Sequence, residues 1–285
     1  MRLFTPILLA ALTTLIVWLI LPPRGSVDQA AANQTYARVI ATGTIRCGYA
    51  PFDPMLKVDP NTKAISGIAY EVMETIARNL GLKVEWVEEV GWGEFVTALE
   101  HDRFDAFCTG GWPNSQRARV IAFTNPFAYA QVGIYSRNDD HRFDNNLAAI
   151  NHPNVRLSLL DGTTVALIAK QEFPNATVVS LPENASLADN FQNIATHKAD
   201  IGIQDHATVS RIMLNNPGKF KLIPGSLGVR KFPAVFAVQR DEQQLLNMLN
   251  VALRELDDAG KLEPIIAAHE PVPGAYRRIN TGYRP

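Results

Sequence analysis

Residues 108–119 read CTGGWPNSQRAR, where the apolar run FDAFC breaks into two glycines, a tryptophan, a proline and two arginines. A guanidinium presents a rigid, permanently charged fork that suits bidentate recognition of a carboxylate. Arg117 and Arg119 lie two residues apart on an expected short helix, so they point to nearly opposite sides and one of them can face a crevice. Gly110 and Gly111 let a ligand approach the backbone, and the Trp112 ring can stack on a ligand or cover its cation. The plainer reading of either arginine is a solvated surface residue.

Three further places carry chemistry of the same kind. DGTT, residues 161–164, opens a helix directly after a strand, so its free N–H groups and the hydroxyls of Thr163 and Thr164 suit a small anion. An ordinary N-cap explains the same residues, and the absence of a following Gly-Lys-Ser/Thr excludes a P-loop. Asp205 ends the apolar run IGIQ, where its carboxylate can hold an ammonium group or cap the next helix. Tyr49 and Phe52 flank a proline in a strand-end loop, and with Trp92 they can wall a ligand or fill a core. Six histidines and the scattered carboxylates show no metal-ligand spacing, so neither a metal nor a cofactor is expected.

These residues sit at the ends of alternating elements. TIRCGYA, KVEWV and FDAFCTG read as strands, with helices over IAYEVMETIARNLG and WGEFVTALEH between them. The grammar repeats after Asn151, with strands VRLSLLDG, ATVVSL and ADIGIQD separated by helices TTVALIAKQEF and SLADNFQNIATHK. Each half is βαβαβ, the mark of a parallel, helix-flanked sheet. The extended run FAYAQVGIYSRNDD links the halves and FPAVFAVQR can carry the chain back, before a long helix with Leu245, Leu249, Ala252 and Leu256 on one face. Ligands of such folds sit beyond the carboxyl ends of the strands.

The chain has 285 residues, 47% hydrophobic and 19% charged, with a formal charge of −1 and no basic run. That balance gives no reason to expect nucleic acid as a partner. Leu3–Leu21 carries no charge and as a helix reaches about 28 Å, close to the bilayer core. It reads either as a cleaved signal peptide or as a membrane anchor, and both export the chain from about Asn33. An oxidising compartment allows Cys47 and Cys108 to pair, and both also suit two buried core residues.

The chain resembles the family 3 periplasmic solute-binding proteins, the polar amino-acid binding components of ABC importers. The resemblance rests on the order and spacing of GTIRCGYAPF, SGIAYEVMETIARNLGLKVEWV, ALEHDRFDAF followed by QRARVIAFTNPF, LLDGTTVALIAK, KADIGIQD and AVQRDEQQLLNMLNVALRELDDAGKLEPII. It implies an α/β, two-lobed periplasmic-binding-protein (type II, Venus-flytrap) fold with two hinge strands. On this reading residues 1–24 are the signal or anchor, 25–35 a connector, 36–127 lobe one with 235–276, 128–234 lobe two, and 235–285 the return and tail. The implied function is extracytoplasmic binding of an amino-acid-like zwitterion or carboxylate by a monomer that delivers it to an ABC permease.

Position by position, the resemblance implies that Arg117 grips the ligand α-carboxylate and that Thr164, Thr163 and their helix start form its second-lobe site. It implies that Asp205 receives the α-ammonium and that Tyr49 or Phe52 covers the side chain. Gly110 and Trp112 stand where the family commonly has Ser or Thr, so Trp112 either stacks on the ligand or fills the pocket. The alternatives are a membrane-tethered sensor and, less favoured, an enzyme like the cyclohexadienyl dehydratase built on the same fold. Glu71, Glu88, Glu89 and Glu94 are the candidate acids for that enzyme.

Overall fold

In a computed structural model of the protein, residues 33–279 are described. The expected signal or anchor, residues 1–24, lies outside them. The first lobe comprises α1 (Gln34–Thr42), β1 (Thr44–Tyr49), β2 (Lys57–Val58), β3 (Ile65–Ser66), α2 (Ile68–Asn79), β4 (Lys83–Glu89), α3 (Phe95–Glu100), β5 (Ala106–Gly111) and β6 (Ile121–Phe123). The second comprises β7 (Ala128–Arg137), β8 (Arg156–Leu160), α4 (Thr164–Glu172), β9 (Thr177–Leu181), α5 (Leu187–Ala195), β10 (Ile201–Asp205), α6 (His206–Asn215) and β11 (Phe220–Leu222). The chain returns through β12 (Arg230–Gln239), α7 (Gln243–Asp258), α8 (Leu262–His269) and β13 (Tyr276–Arg277).

A single hydrogen-bonded path, β4-β1-β5-β12-β7-β10-β8-β9, runs through both lobes. Within each lobe the three strands of the βαβαβ unit are parallel. β5 is buried on both faces and β4 alternates half-buried and exposed residues, as expected of a central and an edge strand. β12 joins the units: Arg230–Ala234 pair with β7, and from Val235 onward its partners are β5 and β6. This architecture is the two-lobed type II fold.

The two lobes lock their strands in the same way. Asp105, which precedes β5, is buried and accepts from the backbone N–H of Arg46 at 2.6 Å and from its Nε at 3.1 Å. Asp200, which precedes β10, accepts from the same atoms of Arg156 at 2.9 and 3.0 Å. A buried carboxylate needs such charge-assisted partners, and an aspartate before the third strand facing an arginine on the first supplies them.

In lobe one, Ile68, Val72, Met73 and Ile76 of α2 are buried and share a core with Leu245, Leu249, Ala252 and Leu256 of α7. The Glu242 carboxylate accepts from the backbone N–H groups of Thr35 and Tyr36 at 2.8 and 2.9 Å. Those N–H groups belong to the open N-terminus of α1, where an anion is favoured. This contact draws Gln34 and Thr35, within the expected connector, into a helix. Cys47 and Cys108, both fully buried, form a disulfide between the neighbouring strands β1 and β5.

Candidate functional site

Arg117 starts a single 3₁₀ turn, Arg117–Arg119, whose entry is fixed by Asn114 Oδ1 accepting from the Arg117 backbone N–H at 2.9 Å. Its guanidinium points into the cleft between the lobes. Nη2 donates to the carbonyls of Trp92 at 2.8 Å and Gly162 at 2.7 Å, and Nη1 lies 3.4 Å from Thr164 Oγ1 and 3.5 Å from the Trp112 carbonyl. The guanidinium carbon stands 4.6 Å over the Phe95 ring. Arg119 is exposed, its backbone N–H donating to the Gln116 carbonyl at 3.3 Å and its carbonyl accepting from Arg240 Nη1 at 3.1 Å.

Among the described residues no carboxylate pairs with Arg117. Burial pulls its pKa down to about 10, so it stays charged at neutral pH. A desolvated cation held only by neutral oxygens is the complement of an anion. The N-terminus of α4 faces it, with Thr163 as N-cap accepting from the Ala166 N–H at 3.2 Å and donating to the Leu160 carbonyl at 2.7 Å. Thr164 is buried, and its hydroxyl reaches the Trp112 carbonyl at 3.3 Å and Asn114 Nδ2 at 3.4 Å.

The lobes are closed on each other here. Gly162 has φ +73°, and a Cβ on it would stand 2.6 Å from the Gly93 nitrogen, so glycine is required both for the turn and for the approach. Gly93 N–H donates to Glu183 Oε2 of lobe two at 2.8 Å. The Thr208 hydroxyl donates to the Asp53 carbonyl at 2.9 Å, and Arg211 Nε meets Asp53 Oδ1 at 3.1 Å.

Phe52, Trp92, Trp112, Arg117, Thr164 and Gln204 line a cavity of about 30 Å³ at the centre of the cleft. That is room for about a water molecule, so a solute enters only when the lobes or rings move. Trp112 is 7% exposed, stacks on Phe232 of β12 with centroids 4.6 Å apart and planes at 9°, and meets Phe52 edge-on at 5.7 Å. A second cavity of about 600 Å³ opens beside it between the lobes, with Asp53, Glu89, Glu94, Glu183 and Arg211 in its wall.

Three of the expected residues line neither cavity. Asp205 is fully buried as N-cap of α6, with Oδ1 accepting from the Thr208 N–H at 2.9 Å, while Oδ2 has no hydrogen-bond partner. Burial pushes its pKa up to about 6. Tyr49 packs edge-on against Trp86 at 6.0 Å. Gly110, at φ +80°, makes room for Phe127, whose ring tip would lie 2.9 Å from an added Cβ; Gly111 faces Phe107 and Trp92. In this closed arrangement the two glycines accommodate aromatic rings.

Of the candidate acids of the enzymatic alternative, Glu88 and Glu94 pair with Arg103, Glu71 meets His269 Nε2 at 2.7 Å, and Glu89 lines the second cavity with Glu94; none lines the Arg117 cavity. Sequence reasoning passed over Gly93, Glu183 and Gln204. Glu183 and Gln204 carry no local signal, whereas the GWG of residues 91–93 before a helix is the kind of turn that a close approach requires.

The family model for bacterial extracellular solute-binding proteins, family 3, matches residues 45–269. A probable amino-acid ABC transporter-binding protein of Haemophilus influenzae is 27% identical over 239 residues, 82% of this chain and 87% of the relative. A probable histidine-binding protein of Campylobacter jejuni is 23% identical over 233 residues, 80% of this chain and 86% of the relative. Among solved structures, an ancestral amino acid-binding protein described as a precursor of cyclohexadienyl dehydratase superposes with a TM-score of 0.72 at 23% identity. That likeness covers 83% of this chain and 99% of the ancestral one, and it bears on the fold alone. With the family's profile running from β1 to the end of α8 over two lobes that close around an unpaired arginine, this chain belongs to the bacterial extracellular solute-binding proteins of family 3.

Proposed function

We propose that the protein binds a small amino-acid-like solute between its lobes and delivers it to an ABC importer. The observation that carries this reading is the Arg117 guanidinium, buried at the lobe interface with only neutral oxygen partners and facing the N-terminus of α4. The solute carboxylate replaces some of those oxygens, bridging Arg117 to Thr164 and Thr163, and thereby favours the closed state. Asp205 receives the ammonium group, Phe52 and Trp112 enclose the side chain, and Tyr49 and Gly110 contribute only through the packing beneath. The amino-acid and histidine binding ascribed to the relatives supports an amino acid as the class of solute.

The hinge crossings lie at 127/128 and 234/235, where β7 begins and β12 changes partners. The apolar segment Leu3–Leu21 directs the chain out of the cytoplasm as a signal or an anchor, and the protein works as a monomer in the periplasm. Binding without turnover is the expected behaviour, because Glu88 and Glu94 are held by Arg103, Glu71 by His269, and none of the candidate acids bonds to Arg117 or lines its cavity. Calorimetry with the twenty common L-amino acids tests the reading. Stoichiometric binding of at least one, lost in Arg117→Ala, supports it; binding of none, or undiminished affinity in the variant, overturns it.

A further inference from the structure

Two buried oxygens at the hinge have no hydrogen-bond partner, Asp205 Oδ2 and the Tyr276 hydroxyl. The residues are 0% and 1% exposed. β10 and β13 follow one another along the same edge of β7, with Asp205 opposite Val132 and Tyr276 opposite Ala130. The other edge of β7 belongs to β12, which places Phe232 opposite Ala130. Cross-strand partners, and residues two apart along a strand, point to one face, so Asp205, Tyr276 and Phe232 share a face of the hinge. About 7 Å of strand separates the first two positions. Trp112 stacks on Phe232, and its own buried Nε1 also has no partner.

A buried tyrosine hydroxyl usually finds a partner, and leaving it or a carboxylate oxygen unsatisfied is costly. The two groups are close enough for Asp205 to contribute to holding the Tyr276 hydroxyl protonated, after burial itself, by its charge and through a side-chain hydrogen-bond contact that falls short of full hydrogen-bond geometry. The converging carboxylate and hydroxyl oxygens offer two acceptors to an ammonium group, which carries three N–H donors and no acceptor, while the hydroxyl's own proton can turn to the carboxylate. The carboxylate subsite is one residue away, because Gln204 lines the Arg117 cavity while its Oε1 accepts from the Asp205 N–H at 2.9 Å. Tyr276 is also firmly held. Arg277, the second residue of the two-residue strand, donates through Nε to Gln131 Oε1 at 3.0 Å, and Arg278 directly after it donates through Nη2 to Glu270 Oε1 at 2.8 Å.

We propose that Tyr276, carried on the C-terminal strap, is a ligand-binding residue whose hydroxyl oxygen, with Asp205 Oδ2, receives the ammonium group of the solute held at Arg117. This rests on the amino-acid reading above and adds a residue from the end of the chain to the site. It follows that the protein discriminates for a free ammonium through a hydroxyl as well as through a charge.

The test uses the full chain, the twenty common L-amino acids, and the α-deamino analogue of whichever binds best. Tyr276→Phe keeps the ring and is expected to lower affinity for the amino acid about tenfold while leaving the weaker affinity for the deamino analogue within twofold. A merely structural role would reduce both equally, and that result, or an unchanged affinity for the amino acid, overturns the inference and leaves the amino-acid reading intact. Binding of none of the twenty by the unaltered protein overturns both. Should the variant fold poorly or the analogue bind too weakly to titrate, a crystal structure of the unaltered protein with the best-bound amino acid decides. An ammonium nitrogen within hydrogen-bond reach of both oxygens supports the assignment, and one elsewhere refutes it.

Discussion

Arg117 Nη2 of lobe one lies 2.7 Å from the Gly162 carbonyl oxygen of lobe two. On the proposed reading the anion-binding group and the closure of the cleft are one structure, because the guanidinium assigned to the carboxylate also bonds across the lobes. Loss of the fork should harm binding in two ways. Arg117→Ala is expected to reduce affinity at least a hundredfold, and Arg117→Lys about tenfold or more, since an ammonium keeps the charge but not the bidentate geometry. Calorimetry of both variants with the best-bound amino acid measures the difference.

Gly162→Ala isolates closure from chemistry. Its Cβ would stand 2.6 Å from a backbone nitrogen, Gly93 N, in a φ +73° conformation that a non-glycine residue resists. The variant should fold yet remain open, and small-angle scattering should show no compaction on adding ligand. Gly93→Ala meets the Glu183 side chain, which can swing aside, so its compaction should largely survive.

Asp205 makes stability and binding depend on pH in opposite senses. Its folded pKa of about 6 exceeds the ordinary carboxylate value of 3.8, so the folded chain holds a proton that the unfolded chain releases between those values. Its contribution to stability is full below about pH 4 and falls as the pH rises to 6, by at most about 3 kcal/mol. Ammonium binding requires the ionised form, so affinity should weaken below about pH 6 with uptake of a ligand coupled to proton release. The groups that act on this hinge pocket are Tyr276, Tyr135, Asp53 and Arg211, and none supplies a direct counter-charge bonded to Oδ2. Asp205→Asn, which preserves a good N-cap, should flatten both trends relative to the unaltered protein in denaturation and calorimetry from pH 4 to 8.

Trp112→Ala should cost about 3 kcal/mol, the usual consequence of removing a buried ring, and enlarge the central cavity beyond about 30 Å³. The same variant should accept bulkier amino acids than the unaltered protein. Thermal melts and a ligand panel report the two effects separately.

Reduction of the Cys47–Cys108 disulfide should lower stability by about 4 kcal/mol on the chain-entropy account, given a sequence separation of 61 residues. Denaturation with and without reductant measures this loss. Because both sulfurs are tied up in the disulfide, alkylation of the unreduced protein, even when denatured, should label neither.

Hydrophobic periodicity and punctuation were enough to read the repeated βαβαβ units, because each helix buries one stripe and each central strand buries both faces. Ile68, Val72 and Ile76 recur at helical spacing, and AFCTGG is apolar or small throughout. The start of α1 was not legible, since Gln34 and Thr35 join the helix through Glu242, more than two hundred residues away. β13 has only two residues and no period to detect.

The sequence by itself determined which residues could take a carboxylate: a fork at Arg117 or Arg119 and hydroxyls at a helix start over DGTT. Spacing left the two arginines open and the resemblance pointed to Arg117; the tertiary structure shows the placement, a 3₁₀ turn that sends Arg117 into the cleft and Arg119 to solvent. It likewise decided that Cys47 and Cys108 pair, that Trp112 packs on Phe232, and that Gly110 accommodates Phe127. The Tyr276 hydroxyl beside Asp205 belongs wholly to that second category. Local patterns encode elements and their faces, whereas a cleft is made of residues far apart in the chain, brought together by strands that pass from one lobe to the other.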